Sequence, residues 1–376
     1  MATRRSSRIS GNIERLAEET NSVVKKAGSK LTNESKVTPT AKGRSKRKSR
    51  DEEKSEDQKV ENDGPSTPKR KRRSKPTEPA TPTLTVVKPA TDTNGKAPPA
   101  FKNRLADPNS TNALLISPET SRLVLNKPLE QVSPSKLFRD PTTTTNILEE
   151  GLAHLIKVEP KLKPCIEQHH CHIFSAEGLA EEVDPFRSLV SSIISQQVSG
   201  AAAKSIKAKF VALFNPDKPD ASDHDFPTPS QVCSKSLEVL RTAGLSQRKA
   251  EYIQGLAEKF VSGELTASML FSASYDEVLE ALIKVRGLGK WSVEMFACFE
   301  LKRMDVFSTG DLGVQRGMAA FMGKDVGKLK AKGGGKWKYM SEADMLEIAE
   351  KFKPYRSLFM WYMWRWENTD VAALMN

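Results

Sequence analysis

Cysteine is scarce in this chain, and the four present, Cys165, Cys171, Cys233 and Cys298, form neither a dense disulfide framework nor a CxxC pair. A reducing intracellular compartment is expected. No apolar run approaches the roughly 18 residues that a membrane span needs, and the N-terminus has no apolar signal-peptide core. A soluble protein with no membrane partner is therefore expected. Aromatic residues are only 7% of the chain and the first of them is Phe101. Negative charge is in deficit: the formal charge is +12 over 376 residues, and residues 1–100 hold 24 Lys and Arg against 13 Asp and Glu, leaving 35 against 34 for the rest.

A stretch so basic and so poor in apolar residues cannot bury enough surface to offset the entropy of ordering, so residues 1–100 read as a disordered basic arm. Counterion release would let such an arm bind DNA without regard to sequence, in a strongly salt-dependent way. Its two basic clusters, Lys42 to Arg50 and Pro68 to Lys75, read as nuclear import signals or nucleic-acid patches, with a merely solvated tail as the alternative. The first thirty residues have the Arg and Ser content of a mitochondrial transit peptide, but Glu14, Glu18 and Glu19 interrupt it. A nuclear protein is the expectation. Residues 101–145 read as an extended linker, and 146–370 as the folded domain.

Inside that domain apolar residues recur at helical spacing and strand alternation is absent. Ile147, Leu148, Leu152, Leu155 and Ile156 mark one helix, ended by Pro160. Cys165, Cys171 and His169, His170 and His172 match no usual zinc spacing and read as a connecting loop. Asp184 can cap a helix that carries Phe186, Leu189, Val190, Ile193 and Ile194, and Ser199-Gly200 separates it from an alanine-rich one. Further helices are expected at about 229–242, 246–262, 274–284, 342–352 and 354–367. Arg248 and Lys249 lie near a helix start, where the helix dipole disfavours cations, so an external phosphate is the expected partner. The fold class is all-α, about ten helices in two lobes around a cleft.

The central stretch runs from Leu282 to Arg316. Val285-Arg286-Gly287-Leu288-Gly289 is a tight turn between two helices, and its glycines permit backbone conformations and close approaches that a Cβ forbids. N–H groups at the start of the next helix then face outward as an anion site. Asp311, 22 residues beyond Gly289, sits where Ser308-Thr309-Gly310 ends an extended run and a new amphipathic helix opens. Lys324 to Lys338 carries six lysines, one aspartate and a triple glycine, which reads as a flexible loop able to touch a DNA backbone or as an exposed insertion. Six aromatics crowd into residues 355–366, more than one core stripe needs, and Tyr355 and Trp361 are candidates to line a pocket for a flat base.

Val285 to Ser292 followed by Asp311 resembles the signature of the DNA glycosylase superfamily with a helix-hairpin-helix, a Gly/Pro-rich loop and a catalytic aspartate. Asp184 to Val190 and Ile193 to Ser199 look like that family's first catalytic-domain helices, and the subgroup resembled is the alkylpurine glycosylases of the 3-methyladenine II type, over roughly residues 145–370. The resemblance implies excision of alkylated purines from double-stranded DNA by a monomer without cofactor, in base excision repair. Asp311 would be the catalytic residue, with Asp305 as the alternative. Gly287, Gly289 and Lys290 would grip the backbone, a monovalent cation would sit at the carbonyls of Val285 and Gly287, Gln197 would be the wedge that fills the gap in the helix, and Trp291 would belong to the base pocket with Tyr355 and Trp361. Strand-cleaving relatives have a lysine where this chain has Trp291, and the iron-sulfur cysteines of others are missing beyond Cys298, so hydrolysis without lyase activity is implied. Two rivals remain at this point: a non-enzymatic helix-hairpin-helix DNA grip, and a glycosylase for neutral oxidised or mismatched bases.

Overall fold

The computed structural model describes residues 84–87 as backbone and 103–126, 141–331, 335, 337 and 339–366 in full. The basic clusters, the linker stretch 127–140 and Lys332, Gly333, Gly334, Lys336 and Lys338 lie outside the described residues.

Strands β1 (Leu84–Val87), β2 (Leu114–Ile116) and β3 (Leu123–Asn126) precede the helices, and β4 (Glu182–Val183) lies among them. They form one sheet in the order β1-β3-β2-β4. β3 pairs antiparallel with β1, Leu84 opposite Asn126, and with β2, Leu115 opposite Val124, while β2 runs parallel to β4, Leu115 opposite Val183. The absence of strand alternation in the sequence left these strands unread. The first lies within the stretch assigned to the arm, and the next two within the linker.

The helices are α1 (Ile147–Val158), α2 (Lys163–Gln168), α3 (Ala176–Leu179), α4 (Pro185–Ser195), α5 (Gly200–Ala212), α6 (Pro229–Cys233), α7 (Leu237–Arg241), α8 (Gln247–Val261), α9 (Ala267–Ser272), α10 (Tyr275–Ile283), α11 (Lys290–Phe299), α12 (Leu312–Phe321), α13 (Val326–Ala331), α14 (Glu342–Glu350) and α15 (Arg356–Trp366). The mostly helical class stands, with more helices than expected because six of them have only four to six residues. Two fall on stretches read as loops: α2 carries Cys165, and α13 carries Lys328 and Lys330. Small polar residues start many of the others. Asp184 accepts from Arg187 N at the start of α4, Ser199 from Ala202 N at α5, Ser246 from Lys249 N at α8, and capping boxes open α6 and α10.

Two hydrophobic cores give the two lobes. One gathers Phe186, Leu189, Val190 and Ile193 of α4 with Ile253 and Leu256 of α8, Val278 and Leu282 of α10, and Val293 and Phe296 of α11. The other gathers Ile147 and Leu155 of α1 with Val314 and Met318 of α12, Met345 of α14, and Leu358, Phe359 and Tyr362 of α15. Helix α11 serves both, since Ala297 and Cys298 belong to the second core. Residues 104–113 stitch the connection after α11: Asn112 N donates to Leu301 O (3.1 Å), Met304 N donates to Pro108 O (3.1 Å) and Asn112 Nδ2 donates to Lys302 O (3.2 Å).

Candidate active site

Helices α10 and α11 with the turn between them form the helix-hairpin-helix. Gly287 has φ +93°, and a Cβ there would stand 2.3 Å from the Tyr252 ring of α8, so conformation and space both demand glycine. Gly289 is the N-cap of α11, has no side-chain cap, and faces open space. The first N–H groups of α11 therefore look outward for an acceptor, which an anion at a helix N-terminus supplies. Lys290 opens that helix exposed, its ammonium 3.8 Å from the Glu294 carboxylate one turn on.

Asp311 caps α12 and is only 4% exposed. Its Oδ1 accepts from Val314 N (2.8 Å) and Trp364 Nε1 (2.8 Å), and its Oδ2 accepts from Trp291 Nε1 (2.8 Å). Three N–H donors thus fill three of the roughly four lone-pair positions of a carboxylate. One position on Oδ2 remains to receive an O–H. The donors come from the starts of α11 and α12 and from α15, so the carboxylate joins the hairpin to the last helix. Trp291 is 42% exposed, and Trp364 stacks on Phe299 with centroids 5.4 Å apart. A wet indole and a supported one thus flank a carboxylate at a helix N-terminus, where positive potential favours the anion.

The loop before Asp311 is braced by groups that the sequence did not single out. Ser308 Oγ donates to Glu294 Oε2 (2.6 Å), Thr309 Oγ1 donates to Glu342 Oε1 (2.7 Å), and Gln315 Nε2 donates to Thr309 O (2.9 Å). Burial pushes the Glu294 carboxyl above the ordinary glutamate range, and nearby Asp311 and Glu342 add to the rise against the lowering effect of Ser308 and Lys290. Helix α12 reaches α15 through two glycines. A Cβ on Gly317 would lie 1.8 Å from Met363 O, and one on Gly313 would lie 2.7 Å from Trp364 Cδ1 and 3.1 Å from Asp311 Oδ1.

Of the residues expected at the site, Asp311, Trp291, Gly287, Gly289 and Lys290 come together. Tyr355 and Trp361, expected in the base pocket, are both buried in the second core, against which Trp364 also packs. Tyr355 packs on His154 with centroids 5.5 Å apart, and Trp361 lies under the Arg365 guanidinium at 3.0 Å. Trp364 is the aromatic of α15 that reaches the carboxylate. Gly313, two residues after Asp311, was the available signal, since it leaves room for that indole. Asp305 is held by a bidentate pair with Arg356, Nε to Oδ1 at 2.6 Å and Nη2 to Oδ2 at 2.9 Å, the fork geometry of a structural bridge.

Gln197 lies between α4 and α5 with φ 56°. Lys249, expected to await a phosphate, is used internally: its ammonium donates to Ile194 O (2.7 Å) and Gln196 O (2.6 Å). Arg248 beside it is exposed. The carbonyls of Val285 and Gly287, expected to hold a monovalent cation, accept from Leu288 N (3.1 Å) and Gln196 Nε2 (2.8 Å). Lys324, Lys328 and Lys330 are exposed.

Residues 190–331 match the model of the HhH-GPD superfamily base excision DNA repair proteins. The chain is 34% identical over 278 residues to the DNA-3-methyladenine glycosylase of Saccharomyces cerevisiae, a match that covers 68% of this chain and 91% of that protein. DNA-3-methyladenine glycosylase 1 of Schizosaccharomyces pombe is 29% identical over 186 residues, 49% of this chain and 73% of that one. Among solved structures, DNA-3-methyladenine glycosidase from Bacillus halodurans is similar with a TM-score of 0.46 and 31% identity, over 58% of this chain and 89% of that one. This chain belongs to the HhH-GPD superfamily and, within it, to the family of the alkylpurine DNA glycosylases.

Proposed function

We propose that this protein is a monofunctional DNA-3-methyladenine glycosylase that flips an alkylated purine nucleotide out of double-stranded DNA and hydrolyses its N-glycosidic bond, leaving an abasic site. The carrying observation is Asp311, a buried carboxylate held by Trp291 Nε1, Trp364 Nε1 and Val314 N beside the hairpin. The bond is shielded inside a duplex, so the nucleotide must leave the stack. Outward N–H groups at Gly289 and the start of α11, with Lys290, grip a phosphate, and Gln197 fills the vacated space.

A purine alkylated at N3 or N7 carries positive charge and leaves without being protonated. The remaining demand is to stabilise an oxocarbenium-like sugar and to aim a water at C1′. The Asp311 charge meets the first, and its remaining Oδ2 lone pair, as acceptor of a water O–H, meets the second. Exposed Trp291 offers an electron-rich face to a cationic base. Trp291 also stands where a Schiff-base lysine would be required, and the Lys290 ammonium pairs with Glu294, which supports water as the nucleophile. Exposed Lys324, Lys328 and Lys330 would add backbone contacts, and the basic clusters of the arm would direct the protein to the nucleus. A DNA grip without activity has no use for a carboxylate held in this way.

Release of free base tests the proposal. Duplexes carrying 3-methyladenine or 7-methylguanine should yield free purine by chromatography, while duplexes with uracil, 8-oxoguanine or a mismatch yield none. Release from the neutral bases alone would favour the rival glycosylase, and no release from any substrate would favour the DNA grip.

A further inference from the structure

The turn that carries Gln197 is held more firmly than bond cleavage requires. Gln197 has φ 56°, a sparsely populated conformation for a residue with a Cβ, and such backbone persists only where its surroundings over-determine it. Two side chains do so here. Lys249, in the first turn of α8, donates to Ile194 O and Gln196 O, and so satisfies carbonyls that the end of α4 leaves unpaired. The Gln196 side chain crosses to the hairpin and donates to Gly287 O at 2.8 Å. Helix α8 closes the arrangement from below: Tyr252, three residues after Lys249, lies against Gly287 and leaves no room for a Cβ.

We propose that Lys249 and Gln196 are positioning residues that lock the Gln197 turn to the phosphate-gripping hairpin, so that gripping the backbone and inserting the wedge are one rigid movement. The inference rests on the glycosylase reading given above. The hydrogen bonds of these two side chains go to main-chain carbonyls of the turn and the hairpin, and not to Asp311, Trp291 or Trp364. Their contribution falls on extrusion of the nucleotide. A base that is already unstacked makes no demand on a wedge.

The test compares single-turnover release of 7-methylguanine from a duplex and from the same strand alone, using Gln196→Ala, Lys249→Met, Gln197→Ala and each of the first two combined with Gln197→Ala in the full chain. A parallel duplex with 2-aminopurine beside the lesion reads extrusion directly by fluorescence. Gln196→Ala and Lys249→Met should each slow duplex release by about tenfold to a hundredfold, the scale of a misplacement of about 1 Å, and reduce the fluorescence rise. Their single-strand rates should stay within about twofold of the unaltered protein, which also shows that they fold and cleave. Adding Gln197→Ala to either should slow release little further, because the three act as a unit. Equal losses on both substrates would make Lys249 and Gln196 merely structural and overturn the proposal. A duplex defect in Gln197→Ala that neither tie variant shares would overturn it while leaving the wedge in place, and an unimpaired Gln197→Ala would remove the wedge and the tie together. Absence of release by the unaltered protein would instead refute the glycosylase reading.

Discussion

Replacing Asp311 by asparagine removes one charge and almost no volume, and its effect can be traced donor by donor. Asparagine caps helices as well as aspartate does, so Val314 N keeps an acceptor. If the amide oxygen takes Val314 N and Trp364 Nε1, its NH2 group faces the Trp291 Nε1–H across 2.8 Å, a donor against a donor. One indole must let go, and Trp291, 42% exposed, can turn to water. Converting charge-assisted bonds to neutral ones costs about 1–3 kcal/mol of stability, small enough to leave a domain of ordinary stability folded at assay temperature. The effect on the reaction is larger. The charge facing the developing oxocarbenium ion disappears, and loss of one preorganised electrostatic group is worth about a hundredfold to a thousandfold, or about 2.7–4 kcal/mol. Single-turnover release of 7-methylguanine at saturating protein should fall by at least about a hundredfold, while binding to duplex DNA is kept or tightened because a charge near the phosphates is gone. Release within tenfold of the unaltered protein, with the melting transition intact, would refute the assignment of Asp311 and the account of its donors.

Four further outcomes are expected. Gly313→Ala, whose methyl would press on Trp364 and Asp311, should cut base release by at least about tenfold while far-ultraviolet circular dichroism stays unchanged, because overpacking shifts the indole rather than the helix. Sodium borohydride should trap no protein–DNA adduct on a lesion-bearing duplex, and an adduct lost in Lys290→Ala would overturn the hydrolytic reading. Removal of residues 1–80, which takes away 22 basic and 12 acidic residues and spares β1, should leave the single-turnover rate on a short duplex little changed, and the slope of log K against log salt should shrink by about 0.9 for each phosphate that the arm had neutralised. Burial raises the Glu294 carboxyl, so the unfolded chain gives up that proton at a lower pH than the folded one and stability falls as pH rises upward from the ordinary glutamate range. Glu294→Gln keeps an acceptor for Ser308 and should flatten that fall in melting temperatures followed from about pH 4.5 to 7, whereas parallel curves would sink the account.

What could be read from the sequence was what depends on local spacing. Asp184, read as a cap, does cap α4, and helices expected to start at about 229, 274 and 342 begin at Pro229, Tyr275 and Glu342. The glycines at 287 and 289 and the aspartate after them mark the turn and the start of α12, because turn chemistry and capping act over a few residues. The rest is non-local. β2 has three residues, too few for alternation to register, and it is completed by β4 across the start of the helical lobes. Among six aromatics in residues 355–366, sequence spacing cannot tell which meets Asp311; the docking of α12 on α15 chooses Trp364 and sends Trp361 under Arg365. Lys249 looks like a surface cation until its acceptors, 53 and 55 residues earlier, are brought beside it.

The stitches from residues 104–113 set an order of assembly during synthesis. Arg104 donates to Leu179 O, Thr111 to Leu270 O and Asn112 to Lys302 O, separations of 75, 159 and 190 residues. A ribosome releasing the chain from its N-terminus exposes this segment long before its partners emerge. The antiparallel β2-β3 pair can close at once, since Ser117 N donates to Arg122 O and Ser121 N to Ser117 O within one turn. The segment around Asn112 has to wait, unpaired, for Leu301 and Lys302. Its docking is thus a late step, and the lobes are clasped only after α11, which belongs to both cores, has been made.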